Sequence, residues 1–331
     1  MKVRESLLSA VVFIVACLVA AGVGEAVLRI RNSSMTNYDI EMWRYAKELK
    51  VRSHDPVIDF DHVRNASAVL EQVAIRTNAW GLRGAEIPPP DPKVRRILFL
   101  GGSITLGWGV KEEDTVTQQL QKMFTAQGER VEVLNGGVGN YNAERYVERF
   151  FVDLKGLKPT DIVVQYFLRD AEHLDRGRGG ALLRHSELAA SLWMAGQRLT
   201  SRSGETALED HYRAVYREDS PGYRAMLASM KRLSDYARAS HIRLYLAMTP
   251  DVHDLQRYRF GYIHERMARL AQADGYRFID LLPAFGALSP SQVWAMPGDP
   301  HPNALGHQLM ARALFPELAE TFGPAATSPP P

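Results

Sequence analysis

From residue 94 onward the chain alternates compact apolar runs with longer segments whose apolar residues recur every three or four positions. That alternation predicts strands connected by helices. The runs Ile97–Leu100, Val131–Leu134, Asp161–Phe167, Arg243–Met248 and Arg277–Leu281 lack a continuous polar face, as expected of strands covered on both sides. Between and after them, Asp114–Ala126, Asn142–Leu157, Gly222–Ser240, Gln256–Ala273 and a closing segment reaching about Glu320 have helical spacing. The order predicts an α/β fold, a three-layer α/β/α sandwich around a five-stranded, mostly parallel, flavodoxin-like sheet.

Other segments break the rhythm. Tyr38–Val51 predicts a helix, residues 69–76 a strand, Thr77–Gly84 a loop of turn formers, and Pro88–Pro92 a stiff connector. Residues 175–220 read as an insertion: Asp175–Gly180 is loop-like and Leu182–Leu199 helical. So placed, the insertion is either a lid or a packing helix. The tail from Thr321, ending Ser-Pro-Pro-Pro, predicts disorder. The expected organisation is thus an anchor at 1–31, an extension and connector at 32–92, a catalytic domain at 93–322 and a tail at 323–331.

The amino terminus changes the picture. Leu7–Gly24 has Ser9 as its one clearly polar member and is closed by Glu25 and Arg29; about 18 such residues just span a hydrocarbon core. A retained transmembrane helix, a cleaved signal peptide and a lipoprotein signal at Cys17 are the three readings. Cleavage at Cys17 leaves apolar Leu18–Val23 at the mature end, and the segment has no clean cleavage site, which favours the retained helix. Lys2 and Arg4 favour a cytoplasmic amino terminus, against the weaker pull of Arg29 and Arg31. The body is then extracytoplasmic, periplasmic in a Gram-negative cell. Forty basic and 38 acidic residues leave a net charge of +2 with no long basic run, so nucleic acid is not a suggested partner. A single cysteine excludes an internal disulfide.

Candidate chemistry begins where the first sheet strand ends. Gly101-Gly102-Ser103 follows Ile97–Leu100, so Ser103 stands at a strand's carboxyl end, with a helix expected from Lys111 onward. Open α/β sheets place ligands there, and helix amino termini offer N–H groups to an oxyanion. A serine that merely caps a helix is the alternative. The loop completes neither a P-loop nor Gly-x-Gly-x-x-Gly, and His241, His253 and His264 lack ligand spacing, so no cofactor or metal is expected. Before the last helix, Asp299-Pro300-His301-Pro302 puts a histidine on a stiff backbone with an acid two residues earlier, the pair a nucleophilic serine needs. Asn78 and Arg83 either reach substrate or fix their own loop to the core.

Three blocks, in this order, resemble the SGNH (GDSL-type) hydrolase superfamily across about residues 94–320. Gly101-Gly102-Ser103-Ile104-Thr105 is similar to the nucleophile block, with Gly102 where members have Asp. Asn135–Tyr141 is similar to the block whose backbone N–H lines the oxyanion hole, matching Gly139-Asn140. Asp299-Pro300-His301-Pro302-Asn303 is similar to the final block, with the acid two residues before the histidine where many members have three. The oxyanion Asn of a third block, followed by Asp, is here Arg169-Asp170.

The resemblance implies Ser103 as nucleophile, His301 as base and Asp299 as its orienting acid. It implies an oxyanion hole of Ser103, Asn140 and Arg169, the last otherwise binding an acidic substrate, with Gly139 and Asp170 at the substrate; Asn78 and Arg83 are candidates there from the loop reading alone. It implies a serine esterase acting without a cofactor on an acylated carbohydrate or small ester, by analogy the O-acetyl groups of a surface or exported polysaccharide. An O-acetyltransferase with the same triad, and a non-catalytic glycan-binding or assembly factor, are the alternatives. Oligomeric state is not readable.

Overall fold

The computed structural model describes residues 2–32, 37–175, 181–200, 207–296 and 299–320. The tail expected at 323–331 and the loop 176–180 lie outside them. The chain divides into two compact units, Met1–Glu48 with Gly177–Ser203, and Leu49–Arg176 with Gly204–Pro331. Residues 49–92 therefore count with the α/β body, and most of the insertion counts with the amino-terminal helix.

In the first unit, the helix Lys2–Asn32 is long and apolar enough to cross a membrane, with mean hydropathy 2.7 and an apolar window left unburied. Its far end meets the insertion. Glu25 accepts hydrogen bonds from the Glu187 and Leu188 amides (3.1 and 3.0 Å) and the Ser186 hydroxyl (2.8 Å). The insertion helix, expected as one piece, is two: Ala181–His185 and Glu187–Thr200. Ser186 breaks it, its Oγ accepting from Ala189 N at 3.0 Å as an amino-terminal cap.

The second unit is built on five parallel strands: β1 (Arg95–Gly101), β2 (Val131–Asn135), β3 (Asp161–Tyr166), β4 (Arg243–Met248) and β5 (Arg277–Asp280). Their spatial order is β2-β1-β3-β4-β5. Successive side chains point to opposite faces, so the all-apolar runs feed two cores. Ile97, Phe99, Val163 and Tyr245 pack with the helices Val116–Ala126 and Ala304–Ala319. Leu98, Leu100, Ile162, Val164 and Leu246 pack with Ala143–Arg149 and Pro221–Ala239. This is the expected three-layer sandwich, and its order reverses at β1, where such folds open a crevice at the strands' carboxyl ends.

Two expectations before the sheet are corrected. The helix at Tyr38 ends at Glu48, and Lys50–Arg52 instead pairs antiparallel with Phe60–His62. Residues 69–76 are not one strand but part of a hairpin, Ser67–Leu70 against Val73–Arg76. Its turn is formed by Glu71 and Gln72, both at positive φ (48° and 64°) without a glycine. Tertiary contact overrides local preference: Glu71 Oε1 accepts a 2.8 Å hydrogen bond from the buried Trp108 indole.

Candidate active site

Ser103 opens a four-residue helical turn, Ser103–Leu106, directly after β1. The helix expected from Lys111 starts only at Val116, so the serine begins its own short turn. The turn is tight because Gly101 lacks a side chain: a Cβ there would lie 2.1 Å from Thr105 Oγ1 and 2.8 Å from the Gln165 carbonyl oxygen.

A hydrogen bond of 2.7 Å joins Ser103 Oγ to His301 Nε2 across 198 residues of sequence. His301 is carried by the strand Asp299–Pro302, which pairs antiparallel with Trp294–Met296. The next residue, Asn303, caps the closing helix, its Oδ1 accepting from Gly306 N at 3.1 Å. Flanking prolines, a strand pairing and a cap therefore hold the imidazole where it can take the serine proton. Asp299 shares this strand, and its side chain lies outside the described part of the structure.

The loop after β2 is knitted onto the serine turn. Gly136 N donates to Phe99 O (2.9 Å), Val138 N to Gly101 O (3.2 Å) and Asn135 Nδ2 to Thr105 O (2.8 Å). A Cβ on Gly137 would sit 2.1 Å from Leu106 N, so glycine permits the approach. The loop reaches exposed Asn140 in a left-handed conformation, φ 60°. Among the described residues, neither the Ser103 nor the Asn140 N–H donates to a backbone carbonyl of these loops and turns.

Arg169 lies on the turn Leu168–Ala171, just past β3, the strand next to β1. Its side chain is 45% exposed and its Nε donates to Glu172 Oε2 at 3.3 Å. Asp170 points inward instead. It is buried and accepts from Phe167 N (3.1 Å) and the Tyr146 hydroxyl (3.2 Å), holding the turn that carries Arg169. Burial, only partly offset by those donors, pushes its carboxyl up to about 8.

Asn78 and Arg83 are also buried. Asn78 binds its own loop through Trp80 N, Leu82 N and Ala85 O. Arg83 donates to the carbonyls of Leu106 (2.8 Å), Gly107 (2.7 Å) and Val110 (2.7 Å). Their geometry is that of clamps fixing loop to core, the alternative to substrate contact.

Three further clamps had no local signal in the sequence. Glu71 holds Trp108 beyond the serine turn. Arg149, fully buried, donates to Gly136 O (3.1 Å) and pairs with Asp61 (2.8 Å). Lys50 Nζ reaches Gly139 O. Among the described residues no group of three His, Cys, Asp or Glu is placed to hold a metal ion.

Residues 99–309, more than half of the chain, match the family described as GDSL-like Lipase/Acylhydrolase. The chain belongs to this family. It is a carboxylic ester hydrolase, and the match spans Ser103, Asn140, Arg169 and His301. Several solved structures are similar to this acylhydrolase. A putative acylhydrolase from Bacteroides fragilis is 18% identical with a TM-score of 0.41, over 71% of this chain and 91% of its own. An acetyl xylan esterase is 15% identical with a TM-score of 0.42, over 67% and 99%. A two-domain esterase active on acetylated mannans is 17% identical with a TM-score of 0.44, over 72% and 52%. No curated protein matches the sequence.

Proposed function

We propose that Ser103 is the nucleophile of this hydrolase and His301 its general base, oriented by Asp299. The 2.7 Å Ser103–His301 contact carries the reading. The Ser103 proton passes to His301 Nε2 as Oγ adds to the ester carbonyl carbon, and the carbonyl π pair moves onto oxygen. The Ser103 and Asn140 N–H groups, with the Arg169 guanidinium, stabilise that oxyanion. Collapse expels the alcohol oxygen, which takes the proton back from His301, and water then releases the acid by the same steps. An oxyanion donor is worth about 3 to 4 kcal/mol in such a step.

The proposed substrates are O-acetyl groups of a surface or exported polysaccharide. The helix Lys2–Asn32 serves as a retained anchor with the body outside the cytoplasm, on the strength of its apolar window and of Lys2 and Arg4 before it. One experiment tests chemistry and placement together. A membrane-impermeant, serine-reactive phosphonate applied to intact bacteria should label the full-length protein and fail to label Ser103→Ala. Labelling of Ser103→Ala overturns the nucleophile; labelling of wild type only after lysis overturns the placement.

A further inference from the structure

The oxyanion loop has a charge behind it. Lys50, in the strand Lys50–Arg52, is buried, and its Nζ donates to the Gly139 carbonyl oxygen at 2.5 Å. That oxygen and the Asn140 N–H belong to one peptide group, which is planar and trans, so the two bonds point in opposite directions. An ammonium fixed on the oxygen thus sets where the N–H points. It also draws electron density from the amide and makes the N–H a stronger donor. The same antiparallel pair holds the next residue, since the Tyr141 hydroxyl donates to Phe60 O at 2.5 Å. Lys50 precedes the stretch 99–309 that matches the family.

We propose that Lys50 is a positioning residue for catalysis: from outside the α/β core it aims and polarises the Asn140 N–H that receives the oxyanion. The inference rests on the oxyanion role given above to Asn140. Burial and Arg145 lower the Lys50 pKa, Asp61 and Asp59 raise it, and the outcome is about 7. Both carboxylates already face guanidiniums, Asp59 those of Arg52 and Arg145, Asp61 that of Arg149. His62, beside them, is neutral because burial and Arg149 press its pKa down to about 3. Lys50 is therefore the group in this cluster whose charge changes near neutrality. The ammonium is about half present at pH 7, nearly complete well below and nearly lost well above. His301 must shed its own proton to act as base in every variant, so the expected signature is that wild-type turnover falls progressively behind that of Lys50→Arg as pH rises through this region.

The test uses the full-length protein in detergent, an aryl acetate, and rates counted per serine labelled to completion by a phosphonate. Lys50→Met should lower kcat per labelled serine about tenfold to a hundredfold and leave KM within about twofold. Lys50→Arg, whose charge does not titrate, should keep most of the rate and draw ahead of wild type above pH 7. A purely structural role predicts fewer labelled serines, each turning over at the wild-type rate, and that result overturns the proposal. So does a Lys50→Arg pH profile that coincides with wild type, which decides the matter even if Lys50→Met does not fold. Wild-type protein that is not labelled at Ser103 defeats the catalytic reading itself; labelled wild type with unresponsive Lys50 variants defeats this inference alone.

Discussion

Strand β3 has one aspartate at its start and another just past its end, and the two carboxyls meet opposite treatment. Asp161, completely buried at the amino edge of the sheet, lies between Arg95 (2.8 and 3.0 Å) and Arg243 (2.8 Å). Burial pushes its pKa up, and the guanidiniums overcome that and hold it below the ordinary carboxylate range. Asp170, buried at the carboxyl edge, has an amide and a phenol as donors, and burial wins. The amino edge neutralises its buried charge and serves stability. The carboxyl edge, where Ser103 meets His301, holds a buried carboxyl with no cationic donor at hydrogen-bond distance among the described residues.

The largest break in this comparison should come from Asp161→Asn. It leaves two guanidiniums without their charge partner, a loss of about 3 to 5 kcal/mol for a buried pair. The native Asp161 contribution is present above the unfolded carboxylate pKa and disappears as pH falls through its lowered folded value. The variant should therefore unfold at much lower urea at pH 7, with the gap to wild type narrowing in acid. Turnover per phosphonate-labelled serine should stay at the wild-type level. A variant as stable as wild type, or one with slowed turnover per site, removes the distinction between the edges.

The two edges also differed in what the sequence revealed. All five strands were legible, because a run such as Ile97–Leu100 has one stable placement, between two apolar layers. Ser103 and His301 were legible because glycines and prolines beside them mark backbones of unusual shape. The supporting side chains were not. Lys50 sits where helical spacing continues, and the helix Tyr38–Glu48 stops before it only because Lys50–Arg52 finds a partner strand at Phe60–His62. Asn78 and Arg83 suited the scaffold at least as well as substrate, and both are buried, with hydrogen bonds to their own loop and to the end of the serine turn and the segment after it. Glu71 occupies a left-handed turn position that its bond to Trp108 explains and no neighbouring residue announces.

A smaller effect, confined to rate, is expected at Arg169. Its side chain is half exposed, and its ion pair with Glu172 is of the surface kind, worth about 1 kcal/mol or less. Arg169→Ala should hence melt close to wild type. If the guanidinium meets the oxyanion, kcat on a neutral aryl acetate should fall about tenfold or more with KM little changed. An unchanged kcat on the neutral ester, with a raised KM on an acidic one, assigns Arg169 to substrate charge instead. Comparison with Asp161→Asn then separates a residue that acts through stability from one that acts through rate.

The finest test concerns Asp170, because its predicted signature is a change of slope with pH. An unfolded aspartate titrates near 3.9, roughly, whereas the folded carboxyl is held up to about 8 by burial. Between those values the folded protein keeps a proton that the unfolded chain has released, so stability falls as pH rises across the window. Asp170→Asn removes that titration and preserves an oxygen to accept from Phe167 N and Tyr146. The variant should match wild type in melting temperature near pH 4 and exceed it progressively toward pH 9, the reverse of the acid-weighted behaviour expected at Asp161. A gap that instead narrows in acid would mean that Asp170 is ionised and compensated like its counterpart at the other end of β3, and parallel melting curves at all pH values would mean that folding leaves its titration unchanged. With either result the contrast between the edges would rest on Ser103 and His301 alone.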